Sequence, residues 1–165
     1  MQHLDNQNGQ NIELFAKPEQ YPMKWHKFLI YFSLWVSALV TLSAAGQFFS
    51  GSHYNGLADA VYAKYGSSLK TLDLLMGIAS IFLAVWAIYT RFQLAGYKSG
   101  APAKLMLLYA LSLIVSVLYM IFACSISGLS FSALLEDSAG TLIGNGLMMF
   151  INKVYYDKRS VLFVN

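Results

Sequence analysis

Four stretches of this chain are apolar and about as long as a bilayer is thick, and that property decides most of what it can fold into. They run from about Trp25 to Phe49, Leu72 to Tyr89, Leu105 to Ile126 and Ala139 to Tyr156. A spanning helix needs about 20 mainly apolar residues, with a range of about 17–25. No water is present in the hydrocarbon core, so a spanning segment must satisfy its own backbone, which a helix does. The fourth run is the weakest, because Asn145, Asn152 and Lys153 interrupt it. Composition points the same way: charged residues are 12 % of the 165, about half the usual share of a soluble domain. The expected fold is an all-α four-helix transmembrane bundle over 23–165. A polar cytoplasmic tail over 1–22 precedes it, too polar for a signal peptide.

Lysine and arginine predict the orientation. Lys17, Lys24 and Lys27 flank the first run; Arg91, Lys98 and Lys104 lie between the second and third; Lys153, Lys158 and Arg159 close the chain. Only Lys64 and Lys70 fall on the other side. Nine against two places both termini in the cytoplasm of a multi-pass membrane protein. Tyr21, Trp25, Tyr89, Tyr97, Tyr155 and Tyr156 fit an aromatic belt at that boundary. In the outer loop 50–68, Leu57, Val61 and Tyr65 recur every four residues and predict one face of a short interfacial helix. Gly100-Ala101-Pro102 predicts a sharp helix stop and restart.

Helices in lipid associate through close packing and interhelical hydrogen bonds, so small residues mark contact faces. Ser33, Ser37, Thr41 and Ala45 form one such stripe. Gly77, Ser80, Ala84 and Ala87 form another, and Gly140 and Gly144 a GxxxG pair. Charge within the runs is scarce. Asp73 stands at the outer end of the second run, as a helix cap or facing an outer vestibule. Asn145 is the deepest strongly polar side chain, suited to cross-linking helices or to lining a polar path. Gly144-Asn145-Gly146 is a candidate helix interruption. Lys153 is placed to snorkel toward the cytoplasmic boundary.

Several function classes lack their residues. One cysteine, Cys124, excludes an internal disulfide, a CxxC redox pair and a zinc ribbon. No histidine falls in mid-span to hold haem. HExxH, GxSxG and a glycine-rich phosphate loop are missing. The net charge of +3 is too small and too scattered for a nucleic-acid footprint. His53 and Asp59 on the outer side are the only residues placed to meet Asp73 or Glu136 around a metal, and nothing in the sequence sets their geometry.

The phrases Lys24-Trp25-His26-Lys27-Phe28, Leu69-Lys70-Thr71-Leu72-Asp73, Arg91-Phe92-Gln93-Leu94-Ala95-Gly96-Tyr97 and the ending from Asn152 to Asn165 resemble an uncharacterised four-helix membrane domain of Gram-positive gut bacteria. Chains of that kind sometimes carry an N-terminal zinc ribbon, whose cysteines this tail lacks. The resemblance implies topology over about 23–165 and no activity. The expected role is a non-catalytic accessory, scaffold or partner-binding subunit, without metal or cofactor. Its partners are the lipid bilayer and another membrane protein or a second copy. The alternative is a small oligomeric transporter or channel with Asn145, Asp73, Ser33, Ser37 and Thr41 lining a polar path.

Overall fold

The structure, a computed structural model, describes residues 22–164; the expected tail therefore lies outside the described residues except for Pro22. Among the described residues there is no strand. Helix α1 runs over Lys24–Ser50, α2 over Ala58–Tyr65, α3 over Ser67–Ala95, α4 over Ala101–Ser127 and α5 over Phe131–Asp157. Short 3-10 turns lie at Ser52–Tyr54 and Ser160–Leu162.

Helices α1, α3 and α4 are long and apolar enough to cross a membrane. Between 22 % and 33 % of their most apolar windows is buried inside the molecule. Most of that apolar surface therefore faces outward, which water would penalise and lipid would not. Helix α5 has the same length as α4. It is less apolar, with Glu136 and Asp137 near its start, Lys153 and Asp157 near its end, and glycines and asparagines between.

Each helix outruns its apolar stretch. The second apolar run, about 72–89, sits inside a helix that begins at Ser67 and ends at Ala95. Backbone bonding continues until something stops it, and the stops are local. Gly51, Gly100 and Gly128 adopt left-handed conformations at the end of α1, the start of α4 and the end of α4. Pro102 stands in the first turn of α4, where its missing N–H costs nothing.

The helices pack in a chain of neighbours: α1 on α3, α3 on α4, and α4 on α5. The central helix α3 buries Leu69, Asp73, Gly77, Ser80, Leu83, Ala84, Ala87, Thr90 and Leu94. Their spacing of three and four keeps them on one side, and the small ones let α1 and α4 come close. A Cβ on Gly77 would stand 2.7 Å from the Phe49 ring of α1.

Near its start α1 contains a π-helical turn over Leu29–Ser33. Such a turn carries one residue too many for the regular ladder and releases backbone groups. Arg91 Nε of α3 donates to the Ile30 carbonyl at 3.0 Å, with the guanidinium over the Trp35 and Phe92 rings.

Four sequence expectations are corrected here. The stripe Ser33, Ser37, Thr41, Ala45 is buried only at Ala45: Ser37 is exposed, Ser33 and Thr41 are half-buried, and the other buried residues of this part of α1 are Leu34 and Ala38. A strict four-residue repeat drifts about 40° per step around a helix of 3.6 residues per turn, whereas the steps of four and seven from Leu34 through Ala38 to Ala45 drift about 20° in all. Gly140 and Gly144 have no neighbour within 4 Å of an added Cβ, so the GxxxG pair makes no internal helix contact. Gly144-Asn145-Gly146 does not break α5, which runs unbroken from Phe131 to Asp157. Leu57 is exposed, and the half-buried residues of α2 are Ala58, Val61, Tyr62 and Tyr65.

Candidate functional site: a buried carboxylate under a tyrosine cap

Asp73 is fully buried, in the second turn of α3. It is therefore neither a helix cap nor a residue facing an open vestibule. Ionised carboxylates are costly to bury unless their oxygens are satisfied. Three tyrosines do this. Tyr54 Oη and Tyr62 Oη each donate to Oδ2 at 2.9 Å, and Tyr119 Oη donates to Oδ1 at 2.9 Å. His53 Nε2 lies 3.6 Å from Oδ2.

The donors come from three elements. Helix α1 ends at Gly51, whose φ of +68° turns the chain back over the helix end. A Cβ there would also stand 2.7 Å from Ala58 Cβ and 3.2 Å from Tyr62 Oη, so glycine lets α2 close on α1. The following 3-10 turn delivers His53 and Tyr54. Asn55 and Gly56, both at positive φ, redirect the chain into α2, which brings Tyr62. Tyr119 arrives from α4. The rings pack as a cap: Phe48 against His53 at 4.8 Å and Tyr119 at 5.4 Å, and Tyr54 against Tyr62 at 5.6 Å. Burial, with the Asp73 bond and charge, pushes the Tyr54 phenol well above its usual value. The same causes push Tyr62 up to about 12.

A second polar assembly closes the opposite end of the molecule. His26 of α1 is fully buried, with Nδ1 2.9 Å from Tyr156 Oη of α5. Its ring packs on Tyr97, Tyr156 and Phe163. Trp25 Nε1 donates to Asn152 Oδ1 at 2.9 Å, and Asn152 Nδ2 donates to the Met148 carbonyl at 2.8 Å. Arg159 donates to the Tyr155 and Pro22 carbonyls and lies over the Tyr155 ring. The expected aromatic belt changes here: Tyr156 is 2 % exposed and belongs to the packing between helices rather than to a boundary ring. Tyr21 lies outside the described residues.

The remaining candidates stand apart from both assemblies. Asn145 Nδ2 donates to Ser112 Oγ at 3.1 Å, joining α5 to α4. Lys153 is held by Asp157 at 2.8 Å on an exposed surface rather than reaching alone for the boundary. Cavities of about 590, 350 and 370 Å³ flank the helices. None of the three is lined by Asn145, Asp73, Ser33, Ser37 or Thr41. Of the suggested metal group, His53 does meet Asp73, but among the described residues no three His, Cys, Asp or Glu side chains gather.

Sequence reasoning singled out Asp73 and His53 and missed Tyr54, Tyr62 and Tyr119. The available signal was polar stoichiometry. A buried carboxylate needs several donors, and tyrosines are the donors an aromatic-rich membrane chain carries in quantity. No protein-family model, curated protein or solved structure matches the chain.

Proposed function

We propose that the protein is a non-catalytic accessory or scaffold subunit of a membrane assembly, with α5 as its fourth span and both termini in the cytoplasm. One observation carries the reading: Asp73, Asn145 and Asn152, three strongly polar side chains of the helices, are each paired with a side chain of another element. Asp73 is taken by three phenols, Asn145 by Ser112 and Asn152 by Trp25. A transport path would need such groups convergent and wet. The topology rests on charge. The end that holds His26 carries Lys24, Lys27, Arg91, Lys98, Lys104, Lys153, Lys158 and Arg159. Lys64 and Lys70 lie toward Asp73. The resemblance to the four-helix bacterial membrane domain belongs with this proposal and adds no activity to it.

Native mass spectrometry of the protein extracted gently from its own membranes tests the role. The expected result is a complex with a different polypeptide. A homo-oligomer alone, with solute flux in liposomes that Asn145→Leu abolishes, would replace the proposal with the transporter reading.

A further inference from the structure

His53 stands where α1 stops, and its two ring nitrogens face two different acceptors. Nδ1 lies 3.0 Å from the Gln47 carbonyl oxygen of α1. A carbonyl only accepts, so Nδ1 carries a proton. A neutral imidazole has one N–H, which would leave Nε2 with a bare lone pair. Nε2 is buried, has no hydrogen-bond partner among the described residues, and lies 3.6 Å from Asp73 Oδ2. That oxygen is also an acceptor, already receiving Tyr54 and Tyr62. Two lone pairs opposed in a dry site repel each other, so a positive species belongs between them.

The surroundings narrow the choice. From α1, His53 meets the Gln47 carbonyl and the Phe48 ring; from its own turn, the Tyr54 ring at 3.9 Å; from α3, Asp73. Tyr62 of α2 and Tyr119 of α4 reach the same carboxylate as donors. Lys70, the cation over Tyr62, is 5.9 Å from that ring and in no ion pair with Asp73. A metal ion would want about four ligands, and among the described residues no third His, Cys, Asp or Glu is at hand. Helix C-termini also favour a cation, and His53 follows the end of α1.

We propose that His53 and Asp73 form a proton-binding site. The proton is held on Nε2 as an imidazolium against the carboxylate, and it latches the segment Ser52–Tyr65 onto α3. It comes from and returns to solvent through the His53 side chain, which is 19 % exposed. When it leaves, Asp73 loses the one basic side chain within ion-pair distance among the described residues. The segment then keeps its phenol bonds to Asp73, the His53 Nδ1 bond to Gln47 and its ring packing, but not the charged contact to α3. This assignment stands whether or not the scaffold role does.

The test is nitrogen NMR of the histidine rings in the full chain in detergent micelles, with His53 assigned by its loss in His53→Gln. The expected signal near neutral pH is a ring protonated on both nitrogens. In Asp73→Asn the ratio of doubly to singly protonated ring should fall about tenfold or more. A wild-type ring protonated on Nδ1 only would overturn the proposal. So would a His53 resonance moved by less than one equivalent of zinc chloride, which would make the pair a metal site. A second measurement does not depend on Asp73→Asn folding. Tryptic cleavage at Lys64, taken relative to Lys98 to cancel the protease's own pH profile, should rise about tenfold in the wild type as pH is raised through the ring titration. It should stay level in His53→Gln, whose amide can donate at any pH. The same pH profile in both proteins would overturn the latch.

Discussion

At the scale of the residue, Asp73 dominates. Truncating it to alanine leaves three phenols without their acceptor, and each unsatisfied buried polar group costs about 1–3 kcal/mol. Asp73→Ala should therefore lower thermal stability in detergent by several kcal/mol, read by the melting midpoint. Tyr119→Phe, which removes one donor only, should cost about 1–2 kcal/mol. The phenols give a pH dependence of definite sign. Tyr62 loses its proton at about 12 in the folded chain, above the unfolded value of 10.0. The folded state thus holds that proton more tightly. This contribution is whole below pH about 10 and is lost as pH rises through about 12. Tyrosinate absorbance should show Tyr62 ionising after the exposed tyrosines, and Tyr62→Phe should remove one tyrosine equivalent from that late absorbance rise.

The elements are ended and joined by backbone features that single substitutions can probe. Gly51 is at positive φ and under Ala58, so Gly51→Ala combines left-handed strain of about 1–2 kcal/mol with a clash. It should loosen α2 from α1, seen as faster amide exchange over Ser52–Tyr65 with α4 and α5 unaffected. Arg91 compensates the π-helical turn. Arg91→Met keeps the packing stem and removes the donor to Ile30, which should cost about 1.5–3 kcal/mol and quicken exchange at the start of α1. Asn145→Leu breaks one interhelix bond, a loss of about 0.6 kcal/mol and at most about 1.7. The helices themselves were legible from hydropathy, because any chain segment in lipid must bond internally. Their pairing faces were only partly so. Gly77, Ser80, Ala84 and Ala87 are all buried, whereas of the regular-looking series Ser33, Ser37, Thr41, Ala45 only Ala45 is buried and Ser37 is exposed, and the pair Gly140 and Gly144 meets open space.

For the whole molecule, the charge bias makes a prediction that needs no purification. With Cys124→Ser as background, Asp59→Cys should react with an impermeant maleimide on intact cells, and Lys98→Cys only after lysis. Labels in the reverse sense would invert the proposed topology. Sequence alone determined that the chain is helical and apolar enough for lipid, and roughly where its helices lie, since these follow from local composition and from backbone bonding within one segment. It also marked Asp73 and Asn145 as the polar residues to explain. Tertiary structure decided what satisfies them. The donors to Asp73 come from residues 54, 62 and 119, and His26 meets Tyr156 across 130 positions. Such pairings depend on which helix faces which, and no local pattern encodes that. Buried polar groups must find partners wherever packing brings them, so the partners appear only once the helices are assembled.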